Sequence, residues 1–302
     1  MKMLPSHGRY EYSPIVTRPG YAWPGRKRIA VYFAFGIEHY AFNEGMVEDL
    51  APGVPQPDVL NTSWREYGNR VGAWRVLDAF SGYGVPLGIL LNTAVYDHAP
   101  ELIAACRKAG HEIIAHGRSN SDILAGMSEA EEAAYISGVT DRIARVEGAA
   151  PRGWASPWIA ETLATPDLLD EAGYTYLLDW CMDDQPVWMK TRRGQILSVP
   201  YSQEINDSSA IIGRKVGATE FADMIVDQFD EMLATPGDEP LVMSVIIHSF
   251  IMGQPFRLRA LRRAIEHILK NADPIWLTQP GAIASHILAL QNPVRPRLAA
   301  KR

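Results

Sequence analysis

The sequence contains few cysteines and no long apolar run. Only Cys106 and Cys181 occur among 302 residues, so we expect neither a disulfide framework nor a cysteine-rich zinc site. No uninterrupted apolar stretch is long enough to span a bilayer, and the first residues lack the apolar core of a signal peptide. These absences predict a cytoplasmic protein that has no membrane partner.

The chain also lacks an excess of positive charge. It has 29 Lys and Arg residues against 35 Asp and Glu residues, which gives a formal net charge of -6. Nucleic-acid binding depends on clustered basic residues, so nucleic acid is not an expected partner. The sequence contains no Gly-x-Ser-x-Gly motif and no glycine-rich phosphate loop, which argues against a serine hydrolase of that type and against a nucleotide-binding enzyme.

Apolar runs typical of strands alternate along the chain with amphipathic segments typical of helices. Arg28 to Phe35 and Leu241 to Ile247 are almost wholly apolar, and Ser128 begins a helix with a capping box completed by Glu131. Continuous apolar strands that alternate with helices indicate a parallel sheet covered on both faces. About seven such units in one chain of this length predict an α/β fold, a closed or nearly closed (β/α) barrel.

The sequence divides into three parts. Residues 1–27 are rich in Tyr, Pro, Gly and Arg and have no periodicity, which predicts an extended N-terminal arm on the surface or on a neighbouring subunit. Residues 28–290 form a single β/α barrel catalytic domain, in which residues 41–62 are an irregular loop. Residues 291–302 are basic and interrupted by proline, which predicts a flexible tail.

Polar residues recur where the predicted strands end, which is where barrel enzymes place their chemistry. The strand-end residues are Glu38, His116, Asp179, Glu204 and His248.

Three of these residues, His248, Glu38 and His116, suit hydrolysis at a carbonyl. His248 could protonate a leaving amine because the pKa of histidine lies near neutral pH; the alternative is a core histidine bonded to a backbone carbonyl. Glu38 could bind a metal ion or accept a proton from water, or instead pair with Arg70. His116 and Asn120 would face one point if a helical turn follows the strand, although Asn is a poor zinc ligand.

Further polar clusters are candidates for substrate contact. Asp179, Asp183 and Asp184 could orient a histidine or bind the N–H groups of an amide, or they could cap a helix or form a tight turn. Glu204, Asn206 and Asp207 present the same choice. Arg152 could hold a carboxylate by two hydrogen bonds, and a cluster that includes Arg70 could contact substrate or only begin a helix.

At these positions the chain resembles the polysaccharide deacetylase superfamily, also called carbohydrate esterase family 4, over roughly residues 9–290. Within it, the chain is most similar to the branch of allantoinase-like and cyclic imide hydrolases. The family motifs correspond to Phe35-Gly36-Ile37-Glu38, to His116 through Asn120, to Pro151 through Pro157, to Asp179-Trp180 and to Val245 through His248.

The departures from the family pattern bear on mechanism. The family's catalytic-base Asp falls at Gly36, its metal-binding Asp is replaced by Glu38, and its second metal-binding His is replaced by Asn120. The resemblance implies a distorted barrel with fewer than eight units and a homo-oligomer. It leaves two expectations for the cofactor, either one divalent metal (zinc or manganese) on Glu38, His116 and Asn120, or metal-independent chemistry.

Together, the residues and the resemblance predict a hydrolase of non-peptide carbon–nitrogen bonds that acts on a small-molecule amide such as an imide, hydantoin or ureide. The expected catalytic residues are Glu38, His248, Arg152 and Asp184. The expected substrate-binding residues are Asp183, Asp179, Trp180, Glu204, Asn206 and Arg70. Two alternatives are a deacetylase of an N-acylated sugar or amine, with Trp64, Trp158 and Trp188 along a groove, and a non-catalytic binding protein.

Overall fold

Nine strands form one sheet in the part of the chain that the computed structural model describes, which is residues 6–44, 48–235 and 239–291. The strands are β1 (Ile29–Ile37), β2 (Leu87–Leu91), β3 (Glu112–Ala115), β4 (Gly153–Trp154), β5 (Tyr176–Leu177), β6 (Val187–Thr191), β7 (Gly194–Ser198), β8 (Leu241–His248) and β9 (Ile275–Thr278). Their order in the sheet is β6-β7-β5-β4-β3-β2-β1-β8, and β9 pairs with β1.

Helices follow most of the strands and cover the sheet. They are α1 (Val59–Tyr67), α2 (Ala73–Tyr83), α3 (Val95–His98), α4 (Pro100–Lys108), α5 (Glu129–Glu147), α6 (Thr165–Glu171), α7 (Ala218–Ala234), α8 (Ser249–Met252), α9 (Pro255–Lys270) and α10 (Pro280–Gln291). None of the helices in the described ranges is both long and apolar enough to cross a membrane.

The predicted α/β fold, a distorted (β/α) barrel, is confirmed. Every pairing in the sheet is parallel except that of β6 with β7, which is antiparallel. The antiparallel strand β6 was not predicted, because its residues are only partly buried and their hydrophobic pattern is weak. The barrel is not fully closed, since the strand order ends at β6 and β8.

The prediction of an irregular loop over residues 41–62 is wrong at its C-terminal end. Helix α1 begins at Val59 because the side chain of Asp58 accepts a hydrogen bond from the backbone N–H of Asn61 and caps the helix. Helix α5 begins as predicted, with the side chains of Ser128 and Glu131 forming a reciprocal capping box.

The alternation of side chains along β1 separates two cores. Odd-numbered residues from Ile29 to Ile37 belong to a large core shared with the helices, whereas Ala30, Tyr32 and Ala34 belong to a smaller core that also contains Leu90, Ile114 and Ile246 of the neighbouring strands. Because side chains alternate across a strand with a period of two, the even-numbered positions of β1 face the barrel interior.

The N-terminal arm lies against its own barrel. The Trp23 side chain is buried, and its indole N–H donates to the backbone carbonyl of Leu241 at 2.9 Å. Arg9 pairs with Asp167 through both guanidinium nitrogens, and the backbone carbonyl of Arg9 accepts from the N–H of Lys190 in β6. The predicted C-terminal tail, residues 291–302, lies outside the described residues apart from Gln291, where α10 ends.

Candidate active site

Side chains alternate between the two faces of each strand, and this alternation brings three predicted side chains to one point inside the barrel. Glu38 continues the inward-facing positions of β1, His116 follows the inward-facing Ile114 of β3 by two residues, and His248 follows the inward-facing Ile246 of β8 by two residues. All three are buried. Since parallel strands end at the same edge of the sheet, these side chains meet at the carboxyl end of the barrel.

Glu38 lies between the two imidazoles. Its Oε1 atom is 3.4 Å from Nε2 of His116 and 3.5 Å from Nε2 of His248, and it accepts no hydrogen bond from the described residues. Its Oε2 atom accepts a 2.5 Å hydrogen bond from the hydroxyl of Tyr40. Burial by itself raises the pKa of Glu38, but His248, His116 and the Tyr40 hydroxyl together outweigh burial and hold the pKa below its ordinary value.

Asp207 fixes the orientation of His248. One carboxylate oxygen lies 2.5 Å from Nδ1 of the His248 ring, and the other accepts the backbone N–H of His248 at 2.8 Å. Burial lowers the pKa of His248, but the carboxylates of Glu38 and Asp207 outweigh this effect and raise the pKa to about 10. His248 is therefore an imidazolium at neutral pH, with Nε2 directed toward Glu38.

His116 is held from the side opposite Glu38. Its Nδ1 atom lies 2.8 Å from the backbone carbonyl of Ala155, which accepts the ring N–H and leaves Nε2 facing Glu38. The carboxylate of the predicted substrate-binding residue Asp179 accepts the backbone N–H and the hydroxyl of Ser156, at 2.7 and 2.8 Å. Asp179 thus orders the loop that follows β4, and this loop contains Ala155, whose backbone carbonyl holds the His116 ring.

Gly36 leaves room for this arrangement. A Cβ atom at position 36 would lie 2.8 Å from Cδ2 of His248 and 2.9 Å from Oε1 of Glu38. Both distances are shorter than non-bonded carbon contacts allow. The position at which the family carries its base Asp is therefore filled, in space, by Glu38 and His248.

The described side chains do not fit the metal site that the resemblance implies. They contain no group of three or more His, Cys, Asp or Glu residues placed to hold a metal ion. The carboxamide oxygen of Asn120 accepts a 3.1 Å hydrogen bond from Asn92, and the Asn120 amide nitrogen lies 3.4 Å from the hydroxyl of Tyr40. Asn120 therefore belongs to a hydrogen-bond network beside Glu38, and the expected ligand set of Glu38, His116 and Asn120 is not assembled.

The Glu38 cluster lines a small cavity of about 250 Å³. Trp158 and Ile159, which both have left-handed backbone angles, form one wall. Tyr201, Gln203 and the predicted substrate-binding residue Asn206 form another. The remaining lining residues are Glu38, Glu48, His116, Asn120, Ser156, Ser208, Ser209 and His248. None of the described residues that line the cavity is a Lys or an Arg.

The structure places Arg152 and Arg70 outside this cavity. Arg152 precedes β4, so it lies at the amino end of the sheet, where its exposed side chain donates to the hydroxyl of Ser285. This corrects the expectation that Arg152 is catalytic. Arg70 is exposed on a π-helical turn, Gly68–Gly72, between α1 and α2 and does not line the cavity.

Four further predicted residues lie beside the cavity and do not line it. Asp184 is exposed, and Asp183 forms a two-point ion pair with Arg18 of the arm at 2.7 and 2.6 Å. Glu204 is exposed and pairs with Arg214, and Trp180 donates to Glu161 at 2.9 Å. Asp183, Asp184 and Glu204 line a neighbouring cavity of about 420 Å³, which shares Tyr201 and Gln203 with the first.

Asp207 was a candidate for substrate contact, whereas the structure places its carboxylate on His248. It directly follows Asn206, whose parallel bridge to Ile246 was not visible in the sequence. Two further polar residues, Tyr40 and Glu48, were absent from the predicted set. Tyr40 and Glu48 come from the segment after β1, whose path is fixed only by tertiary contacts.

Comparisons with known proteins agree with the fold. A family model described as polysaccharide deacetylase matches residues 66–177. The chain is 25% identical to a polysaccharide deacetylase-like protein of Schizosaccharomyces pombe, over 90% of this chain and 92% of that protein. It is 24% identical to a peptidoglycan deacetylase of Helicobacter pylori, over 75% of this chain and 86% of that protein.

A solved structure of PuuE allantoinase superimposes with a TM-score of 0.82 and 27% sequence identity, covering 95% of this chain and 100% of that one. The fold and these similarities together support the resemblance of this chain to the polysaccharide deacetylase superfamily.

Proposed function

We propose that this protein hydrolyses a non-peptide carbon–nitrogen bond in a small cyclic or linear amide, such as an imide, a hydantoin or a ureide. The observation that carries this proposal is a buried Glu38, held between two imidazoles in a cavity of about 250 Å³, with one carboxylate oxygen that accepts no hydrogen bond from the described residues. A cavity of this size suits a small ring better than a polymer. The similarity to an allantoinase over nearly the whole chain supports the same class of substrate.

In the proposed reaction Glu38 is the general base. Its free Oε1 atom accepts a proton from water while the water oxygen forms a bond to the substrate carbonyl carbon, and the carbonyl π electrons move to oxygen. The lowered pKa keeps Glu38 ionised at neutral pH. The hydrogen bond from Tyr40 to Oε2 fixes the carboxylate plane, so Oε1 is the oxygen presented to water.

His248 completes the reaction as a cation and as an acid. Its imidazolium stabilises the negative charge that develops on the carbonyl oxygen. As the carbon–nitrogen bond breaks, Nε2 gives its proton to the departing nitrogen, and the proton held by Glu38 then restores the imidazolium. Because the pKa of His248 is about 10, this acid matches a basic leaving nitrogen.

The charges of the lining favour an uncharged substrate. Glu38, Glu48 and the nearby Asp207 are carboxyl groups, and the lining offers no Lys or Arg that could neutralise a substrate carboxylate. We therefore expect neutral rings or ureides to bind better than analogues that carry a carboxylate.

Deacetylation of an N-acylated sugar or amine is the second candidate, and the peptidoglycan deacetylase relative favours it. The aromatic groove expected for such a substrate is not assembled from the three predicted tryptophans. Trp158 lines the cavity, but Trp64 is packed against Phe250 at 4.8 Å between ring centroids, and Trp188 lies under the N-terminal arm.

A substrate panel separates the candidates. The purified protein is assayed with cyclic imides, hydantoins and ureides, and with N-acetylated chito-oligomers, each before and after chelator treatment and with added zinc or manganese. We expect turnover of a ring amide that survives chelation. We also expect Glu38→Gln to lower its rate roughly 100-fold to 10,000-fold, because the amide cannot accept a proton, while the exposed Glu266→Gln control retains it.

Acetate release from chito-oligomers, with no ring-amide turnover, would instead establish the deacetylase function. No turnover of either class, together with tight binding of a panel compound, would support a binding protein.

A further inference from the structure

One hydroxyl in the site faces two carboxyl groups. The oxygen of Tyr40 lies 2.5 Å from Oε2 of Glu38 and 2.9 Å from Oε2 of Glu48. A tyrosine hydroxyl has one proton to donate, and an ionised carboxylate has none. Both contacts can be hydrogen bonds only if one of the two carboxyl groups carries a proton of its own.

The geometry assigns the Tyr40 proton to Glu38. The shorter contact, 2.5 Å, is in the range of an O–H donor bonded to a carboxylate anion. The longer contact, 2.9 Å, then requires Glu48 to donate to the tyrosine oxygen. The other Glu48 oxygen, Oε1, accepts a hydrogen bond from the hydroxyl of Ser208 at 2.7 Å. The proton of Glu48 is therefore placed on Oε2, the oxygen that faces Tyr40.

The surroundings of Glu48 favour its neutral form. The guanidinium of Arg65 donates to the backbone carbonyl of Glu48 at 2.7 Å and forms its ion pair with Asp49. Burial, followed by repulsion from Glu38, raises the pKa of Glu48, and the imidazolium of His248 only partly opposes this. Glu38 is next to both imidazoles and keeps the negative charge.

We propose that Glu48 is a positioning residue that acts as a neutral carboxylic acid, donating its proton to Tyr40 so that the Tyr40 proton is committed to Oε2 of Glu38. This inference rests on the proposed function, because it concerns the group that acts there as base. The relay from Glu48 through Tyr40 holds Glu38 ionised and leaves Oε1 free for water.

Two variants of Glu48 test the assignment. Glu48→Gln keeps a donor toward Tyr40 and an acceptor toward Ser208, whereas Glu48→Ala removes both. We expect Glu48→Ala and Tyr40→Phe to lower kcat roughly tenfold to 100-fold, the effect of losing a hydrogen bond to a charged group. We expect Glu48→Gln to recover most of that loss.

The same variants should differ in their pH profiles. Tyr40→Phe removes the hydrogen bond to Glu38 and should move the acid limb of kcat/KM to higher pH. Glu48→Ala keeps the Tyr40 hydroxyl but removes the donor that orients it, so its acid limb should move in the same direction by less, and that of Glu48→Gln should not move. If Glu48 is instead an ionised base, Glu48→Gln will be as inactive as Glu48→Ala, and the proposal is overturned.

Infrared difference spectroscopy at neutral pH tests the proton without any substrate. The carboxylic acid C=O stretch of Glu48 should be present in the wild type and missing in Glu48→Gln. A spectrum that shows the loss of a carboxylate band instead would refute the assignment. Because this readout needs no turnover, failure of the proposed function and failure of this inference can be told apart.

Discussion

At the scale of single residues, the site depends on which side chains the barrel interior can accommodate. Gly36 occupies the place of the family's base Asp, and the volume beyond its Cα atom is taken by Glu38 and His248. The absence of a side chain at position 36 and the close approach of His248 to Glu38 are therefore linked. A side chain restored at position 36 would not regain the family's usual site, because it would displace the cluster that replaced it.

Gly36→Ala tests this link. The added methyl would push apart His248 and Glu38, and a displacement on the order of 1 Å costs up to about 100-fold in rate. We expect kcat on the best ring amide to fall about 10-fold to 100-fold, measured beside thermal unfolding to confirm that the variant is folded. The control is Gly82→Ala in α2, where a Cβ meets no atom within 4 Å. Equal activity of the two variants would contradict the packing argument.

Residue-level reasoning from sequence succeeded where strand geometry alone decides position. Glu38, His116 and His248 follow apolar strands, and the alternation of each strand fixes which face they occupy. Arg152 failed the same test, because a residue that precedes its strand lies at the opposite end of the sheet. Tyr40 and Glu48 could not be predicted, because loop contacts over many residues bring them to Glu38.

At the scale of elements, two π-helical turns bring polar groups to the site. The turn Gly68–Gly72 carries Asn69, which donates to the backbone carbonyl of Glu38 at 2.7 Å. The turn Ser208–Gly213 begins directly after Asp207, and its first residue donates to Glu48. Such turns are frequent at functional sites, and the ordinary helix periodicity of a sequence does not reveal them.

The N-terminal arm is the second element with a defined role. Arg18 joins the arm to the segment after β5 through its two-point pair with the half-buried Asp183. We expect Arg18→Ala to lower the free energy of unfolding by about 1–2 kcal/mol, because it removes charge-assisted hydrogen bonds and leaves Asp183 unpaired. Urea denaturation measures the change.

Glu11→Ala is the matched control, since Glu11 pairs with Lys190 at a fully exposed position of the same arm. That substitution should leave the midpoint of unfolding unchanged. If both variants unfold at the wild-type urea concentration, the arm does not contribute to the stability of the barrel.

At the scale of the whole molecule, the sheet order explains why this site is at one end of the barrel. Glu38 and His116 directly follow β1 and β3, His248 ends β8, and the loops after these strands close the cavity. The sequence could predict this arrangement because long buried strands have strong apolar patterns. It could not predict β6, nor the two adjacent cavities, because both depend on how short segments pack between β6 and β8, the two ends of the strand order.

The most direct test of the account is the pH dependence of kcat/KM on the preferred ring amide, compared between the wild type and Asp207→Asn. The acid limb should report Glu38, below the ordinary range of a glutamate, and the alkaline limb should report His248, near pH 10. Asp207→Asn removes one of the carboxylates that raise the pKa of His248, so its alkaline limb should move to lower pH. A wild-type alkaline limb near the ordinary pKa of histidine, or a limb that Asp207→Asn does not move, would contradict the assignment of base and acid to Glu38 and His248.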